Sequence, residues 1–145
     1  SALVCNGRAV TVDLAQGQSP TAGADVIRGT PNADVINALG GDDVVCSLGG
    51  DDTITGGQGR DRIFAGAGND TVRTGNGGGA VGGGEGDDTL VGGTGDDALR
   101  GRAGDDGLFG RAGNDALHGG TGTDACDGGT GTDRATACEI LARVP

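Results

Sequence analysis

Aspartate is the residue type whose spacing in this chain could do chemistry. Of the 19 Asp in 145 residues, 12 share one phase of nine: Asp25, Asp34, Asp43, Asp52, Asp61, Asp70, Asp88, Asp97, Asp106, Asp115, Asp124 and Asp133. Only Gly79 breaks the series. Two residues before each of these positions stands Gly in 12 of 13 cases; the exception is Asn32, of a residue type that tolerates a left-handed backbone well. Carboxylates carried on glycine turns offer a cation both side-chain oxygens and bare backbone carbonyls. No thiolate or imidazole recurs with them, since His118 is the only His. A ligand set made of oxygen alone suits calcium better than zinc or copper, and magnesium resists dehydration and demands a strict octahedron.

The elements that would position these residues follow from the same period. With Gly83–Val91 as template, the frame runs from Pro20 to Thr136 without insertion or deletion, as 13 blocks. Positions one to six are Gly, small residues or Asp and read as a tight turn. Positions seven to nine read as a short strand whose middle residue points inward. That eighth column is Ile27, Ile36, Val45, Ile54, Ile63, Val72, Val81, Leu90, Leu99, Leu108, Leu117, Cys126 and Ala135. One strand of this kind buries almost nothing, so many must stack. Each turn reverses the chain, so two blocks make a coil of 18 residues and alternate blocks fall on opposite sheets. The predicted fold is all-β: two parallel sheets of a β-solenoid around one apolar ladder.

Composition excludes the alternatives. The net charge is −11, Gly supplies 35 positions, and Trp, Tyr and Met are absent. Leu, Ile, Val and Phe together make only 27 residues, too few to offset the cost of ordering the backbone. Something outside the polypeptide must help fold it, or it stays disordered. No window approaches a membrane span, and an acidic chain without basic clusters argues against nucleic acid.

The spacing resembles the hemolysin-type calcium-binding repeats, also called repeats-in-toxin, with the pattern Gly-Gly-x-Gly-x-Asp-x-apolar-x. Blocks starting at Gly56, Gly83, Gly92, Gly119 and Gly128 carry it most fully, the last two with Cys126 and Ala135 at the apolar site. The resemblance implies a right-handed parallel β-roll, calcium between successive turns, secretion, and little structure without metal.

Asp residues 18 apart can then share an ion. One edge offers five gaps between Asp34 and Asp124. The other offers four usable gaps, because Gly79 spoils two, which makes up to about nine calcium ions. Backbone carbonyls near Gly56, Gly83, Gly92, Gly101, Gly110 and Gly119 would complete the ligand sets. The blocks from Pro20 and Gly29 lack the full glycine pattern, so weak or empty sites are expected there. Block 74–82 reads as a metal-poor turn. Asp42, Asp51, Asp87, Asp96 and Asp105, at the fifth position, read as solvated turn side chains. Such an acidic chain repels itself until metal binds, so binding and folding are expected to be one process.

Residues 1–19 and 137–145 lie outside the pattern and read as terminal caps on a roll spanning 20–136. Asn6-Gly7 signals a hairpin turn, Val10, Val12 and Leu14 alternate, and Ile140, Leu141 and Val144 are placed to cover the last coil. Four Cys permit three pairings; the favoured one joins Cys5 to Cys46 and Cys126 to Cys138, with free thiols as the alternative. Paired cysteines and calcium dependence point to a secreted or cell-surface protein, and Ser1 to a mature or trimmed chain.

No catalytic constellation is visible, and a non-enzymatic, monomeric binding module is the expected role. His118 falls on an outward position, Gly75-x-Gly77-x-x-Ala80 lacks a strand–helix unit around it, and the turn already claims Asp70 of the Asn69-Asp70-Thr71 sequon. The outward columns leave two further readings. Thr53, Thr55, Thr71 and Thr89 form a flat face that gives an ice-binding alternative. The opposite face, with Arg28, Arg62, Arg100 and Arg134, could meet an anionic polymer.

Overall fold

The nine-residue period becomes two stacked sheets. A computed structural model describes residues 3–142. An eight-stranded sheet runs Val12–Asp13, Val26–Arg28, Val44–Cys46, Asp61–Ala67, Gly79–Glu85, Ala98–Ala103, Ala116–Thr121 and Arg134–Thr136. A seven-stranded sheet runs Val35–Asn37, Thr53–Gln58, Thr71–Asn76, Thr89–Val91, Gly107–Ala112, Ala125–Thr130 and Ile140–Ala142. Every pairing within both sheets is parallel, and the register is the coil length: Val26 pairs with Val44, Thr53 with Thr71, Val81 with Leu99. The chain is a β-solenoid of about seven turns of ~18 residues. One 3-10 turn, Leu14–Gln16, interrupts the strands.

The core is the predicted ladder. Ile27, Val45, Ile54, Ile63, Val72, Leu90, Leu99 and Leu108 are completely buried, with Ala38 and Ala65 filling in beside them. Coils are joined by backbone bonds that repeat at 18-residue intervals. The amide of Thr53 donates to Asp34 O at 2.9 Å, Thr71 to Asp52 O at 2.8 Å and Thr89 to Asp70 O at 2.8 Å. The same backbone that builds the sheets therefore sets each Asp directly over the next.

At the N-terminal end, Val4–Cys5 and Arg8–Ala9 form an antiparallel hairpin. Asn6 (φ 50°) and Gly7 (φ 77°) turn it, as a left-handed two-residue turn requires. The hairpin lies against strands Val26–Arg28 and Val44–Cys46, and Cys5 is bonded to Cys46. Val12 supplies the first rung, and Leu14 packs on the core. At the far end Cys126, on the inward ladder, is bonded to Cys138. The favoured pairing is thus the one formed.

The C-terminal tail departs from expectation. Ile140–Ala142 adds a parallel strand beside Ala125–Asp127, leaving Ile140 and Leu141 57% and 58% exposed. They extend the sheet instead of covering the last coil. Leu141 is in register with Cys126, so it continues the inward column past the point where anything packs on it. Val144 lies outside the described residues.

Candidate metal-binding turns

From Asp43 onward, each Asp of the main column reaches a group of the preceding coil. The backbone N–H of Asp52 donates to Asp70 Oδ1 at 2.8 Å, Asp70 to Asp88 at 2.8 Å, Asp88 to Asp106 at 2.8 Å and Asp106 to Asp124 at 2.8 Å. On the other edge Asp43 donates to Asp61 at 3.0 Å, Asp97 to Asp115 at 2.8 Å and Asp115 to Asp133 at 2.9 Å. Glu139 ends one series by accepting from the Asp124 amide at 2.8 Å. Glu139 stands where the next Asp would stand, although it is outside the nine-residue frame.

These bonds use one carboxylate oxygen. The other, Oδ2, is buried without a hydrogen-bond partner in nine residues: Asp43, Asp52, Asp61, Asp70, Asp88, Asp106, Asp115, Asp124 and Asp133. Burying a charged oxygen unpaired costs several kcal/mol, so the group must gain a proton or a cation. Burial pushes the Asp43 carboxyl up to about 6 and that of Asp88 to about 7, with neighbouring carboxylates adding to the rise and backbone hydrogen bonds opposing it. Asp52, Asp61, Asp70, Asp106 and Asp115 are raised as well, first by burial.

The surroundings of Oδ2 fit a hard cation. A Cβ placed on Gly101 would run into both Asp106 Oδ2 and, at 2.6 Å, Gly119 O. On Gly110 it would meet Asp115 Oδ2 and, at 2.6 Å, Gly128 O; on Gly83, Asp88 Oδ2 and Gly101 O. At these glycines a carboxylate oxygen of one coil and a first-position carbonyl of the next thus approach each other, as they also do at Gly29 (Asp34 Oδ2 and Ser47 O) and at Gly92 (Asp97 Oδ2 and Gly110 O), whereas Ala38, Ser47 and Ala65 hold the first position beside Asp43, Asp52 and Asp70. The space near Gly56 is shared in the same way by Asp61 Oδ2 and Thr74 O, and that near Gly119 by Asp124 Oδ2 and Ala137 O. Among the described residues no three His, Cys, Asp or Glu side chains converge, so backbone oxygens must supply much of any ligand set. Such a set suits calcium.

Asp25, Asp34 and Asp97 differ. Thr21 donates its amide to Asp25 Oδ2 at 2.6 Å and its hydroxyl to the same carboxylate. Thr30 does the same to Asp34, with the amide at 2.7 Å. Asp97 Oδ2 accepts from the Gly93 amide at 3.0 Å, and its Oδ1 from the Thr74 hydroxyl at 2.9 Å. Burial still raises Asp97, but those hydrogen bonds oppose the rise. Thr74 also fills the gap at Gly79, where a Cβ would come within 3.0 Å of its Cγ2. Asn32 is not left-handed as its column suggests; its amide instead donates to Thr30 Oγ1 at 3.2 Å.

A second ladder escaped the sequence reading. The fifth-position side chains are exposed but not merely solvated: Asp51 Oδ1 accepts from the Asn69 amide at 2.8 Å, Asn69 Oδ1 from Asp87 at 2.9 Å, and Asp87 Oδ1 from Asp105 at 2.8 Å. Asp42, Asp96 and Asp105 act likewise toward Arg60, Asn114 and Thr123. The signal was the sharing of this column by Asp and Asn, which have an Oδ1 acceptor in common.

The outer faces are now defined. Thr53, Thr71 and Thr89 stack in register, but the file ends at Val35 on one side and Gly107 on the other. In the next column Thr55 pairs with Arg73, and Val91 with Phe109. No long threonine array exists there. On the opposite sheet Arg100, Arg102, His118 and Arg134 line a groove of about 730 Å³, floored by Ala98, Ala116 and Gly120. A smaller hollow beside it adds Arg62 and Phe64. His118 is exposed, with Nδ1 2.8 Å from Thr136 Oγ1. No helix among the described residues is long and apolar enough to cross a membrane.

Comparison with curated proteins returns no match. The family model for the RTX calcium-binding nonapeptide repeat matches four times, over residues 20–54, 47–79, 82–117 and 108–135. With most of the chain covered by that repeat, and the repeat built as stacked acidic turns, the protein belongs to the RTX family of calcium-binding nonapeptide repeats.

Proposed function

We propose that this chain is an extracellular structural and binding module whose acidic turns take up several calcium ions and whose folding is completed by them. The carrying observation is the set of nine buried carboxylate oxygens without partners. Asp43, Asp52, Asp61, Asp70, Asp88, Asp106, Asp115, Asp124 and Asp133 would hold the ions, with carbonyls around Gly56, Gly83, Gly101, Gly110 and Gly119. Calcium bound there would supply the positive charge that these carboxylates lack. Without it the chain carries −11 in a narrow stack and repels itself. The two disulfides suit an oxidising compartment. Residues 20–136 act as the roll, with 1–19 and 137–145 as its ends. Isothermal titration with calcium, followed in parallel by circular dichroism, tests this reading. Several equivalents bound with a gain of sheet support it, and no heat and no change in the spectrum would end it.

The arginine groove favours a partner as well. Among the described residues the one ion pair joins Arg28 to Asp13, so Arg62, Arg100, Arg102 and Arg134 have no acidic partner. Arg102 lies flat over Gly82, where a Cβ would sit 3.1 Å from its Nε. A row of unpaired guanidinium groups over a floor of small residues fits an anionic polysaccharide. Retention on dextran sulfate at fixed calcium should weaken in Arg100→Ala/Arg134→Ala, while neutral dextran retains neither protein. Equal retention of variant and parent would dispose of the groove as the site.

A further inference from the structure

The acidic turns come in two backbone forms that divide the Asp column without remainder. In one form the second position is left-handed: Leu39 (φ 76°), Leu48 (φ 81°), Arg102 (φ 87°) and Arg111 (φ 80°), and glycines such as Gly84 (φ 119°) and Gly120 (φ 116°). Every Asp that follows such a second position has an orphaned Oδ2. In the other form the second position is Thr21, Thr30 or Gly93, none of which has a left-handed φ. There the second-position amide donates to Oδ2 of its own block. The three Asp so bonded are the three absent from the orphan set.

A single peptide unit distinguishes the two forms. It joins the first-position carbonyl to the second-position amide. In the left-handed form its carbonyl faces the carboxylate of the preceding coil, as Gly119 O and Gly128 O do. In the other form its amide faces the carboxylate of its own block. The carbonyl offers a cation oxygen, and Asp34 and Asp97 face one too, from Ser47 and Gly110; what sets their turns apart is the own-block amide, which presents a partial positive charge at Oδ2 and already satisfies the carboxylate. A left-handed φ costs a non-Gly residue on the order of 1–2 kcal/mol. Leu39, Leu48, Arg102 and Arg111 adopt it nonetheless, so the oxygen-presenting form is specified at these positions and is not a default of glycine.

We propose that the turns of Asp25, Asp34 and Asp97 are closed by protein hydrogen bonds and take no calcium, so that the chain carries metal-independent rungs at its N-terminal end and at the Gly79 interruption. This rests on the calcium reading above. Thr21, Thr30 and Thr74 complete what the amide begins: each adds a hydroxyl that donates to Oδ1 of the same carboxylate, so both its oxygens are paired within the protein. Two closed turns lie side by side in sequence, next to the hairpin tied to Cys46, and together they form a platform whose acidic turns are already satisfied before metal arrives.

The test is the number of calcium ions bound by the full chain, by equilibrium dialysis, in Asp34→Asn, Asp97→Asn and Asp88→Asn. Asp88→Asn should bind fewer ions than the parent, and the other two as many as the parent. A loss in Asp34→Asn or Asp97→Asn equal to that in Asp88→Asn would overturn the assignment. A parent that binds no calcium would instead overturn the reading beneath it. The unmutated protein, crystallised with terbium, gives the same answer if a variant fails to fold. Anomalous peaks beside Asp88 and Asp106 with none against Asp25, Asp34 or Asp97 agree with the assignment; a peak against Asp34 Oδ2 contradicts it.

Discussion

The coils on either side of Leu39 solve one electrostatic problem in two ways. Before it, Asp25 and Asp34 are each held by a Thr hydroxyl and a turned-in amide. After it, the carboxylates that follow left-handed second positions share only the Oδ1 ladder, and their second oxygen is left bare. Both regions have the same ladder of aliphatic side chains and the same 18-residue register. Packing therefore does not separate them. On the calcium reading proposed above, the difference lies in where each carboxylate would find its positive partner: inside the polypeptide in the first region, outside it in the second. A fold of uniform appearance can thus be self-sufficient at one end and dependent on solution conditions along the rest.

The largest lever on this contrast is pH in the absence of calcium, because it acts on many carboxylates together. Burial raises the folded-state pKa of Asp43, Asp52, Asp61, Asp70, Asp88, Asp106 and Asp115 above the ordinary carboxylate value, to about 6 for Asp43 and about 7 for Asp88. A raised folded pKa means that the folded form binds protons more tightly than the unfolded form. Stability is then present below the unfolded value near 3.8 and is lost as pH rises through about 6 to 7. In chelator, the sheet signal in circular dichroism should be stronger at about pH 5 than at about pH 8. If these oxygens hold calcium as proposed, protons would compete with it, and apparent calcium affinity should fall over the same descending range. A chelated chain equally ordered at both values would remove the electrostatic distinction between the regions.

Reduction of Cys5–Cys46 comes next. The bridge spans 41 residues and contributes about 3–4 kcal/mol by closing that loop in the unfolded chain. Replacing both with Ser should abolish hydrogen-exchange protection of the first coils in chelator while leaving calcium-loaded protection near Leu108 unchanged. Thr30→Val is smaller. It removes a hydroxyl from Asp34 and should cost about 1–3 kcal/mol with or without calcium, read by urea unfolding of both forms. A cost seen only in chelator would mean that calcium takes over this turn as well. Smallest of all is Asp105→Ala, which deprives the exposed Thr123 amide of its acceptor and should cost about 0.5–1.5 kcal/mol by the same measurement.

The period of nine foretold the coil, the register and the inward column, because each depends on residue type at a fixed spacing; the cysteine pairing, with Cys5 and Cys138 outside the frame, was favoured among three and is the one formed. The turn form is less visible. Gly84 and Gly93 are the same residue in the same column, yet only Gly84 has a left-handed φ. What sets Gly93 apart is one coil back, where Gly79 lacks a carboxylate and Thr74 occupies its place. A column-by-column reading treats Thr21 and Thr30 as lost glycines; in three dimensions each is the partner of an Asp four residues on. Glu139 was hidden for a related reason: it reaches the Asp124 amide across 15 residues, so the frame of nine passes over it. Ile140 and Leu141 misled because apolar type suggests burial, while strand pairing alone decided their place.

The central claim is that a cation outside the polypeptide holds the open turns together. Far-UV circular dichroism of the metal-stripped chain at about pH 7.5, titrated with calcium, tests it most directly. The predicted course starts from a weak sheet signal, confined to the first coils, and ends in the full signal of a two-sheet roll. A stripped chain that already shows the full signal, and does not change when calcium is added, would contradict the account.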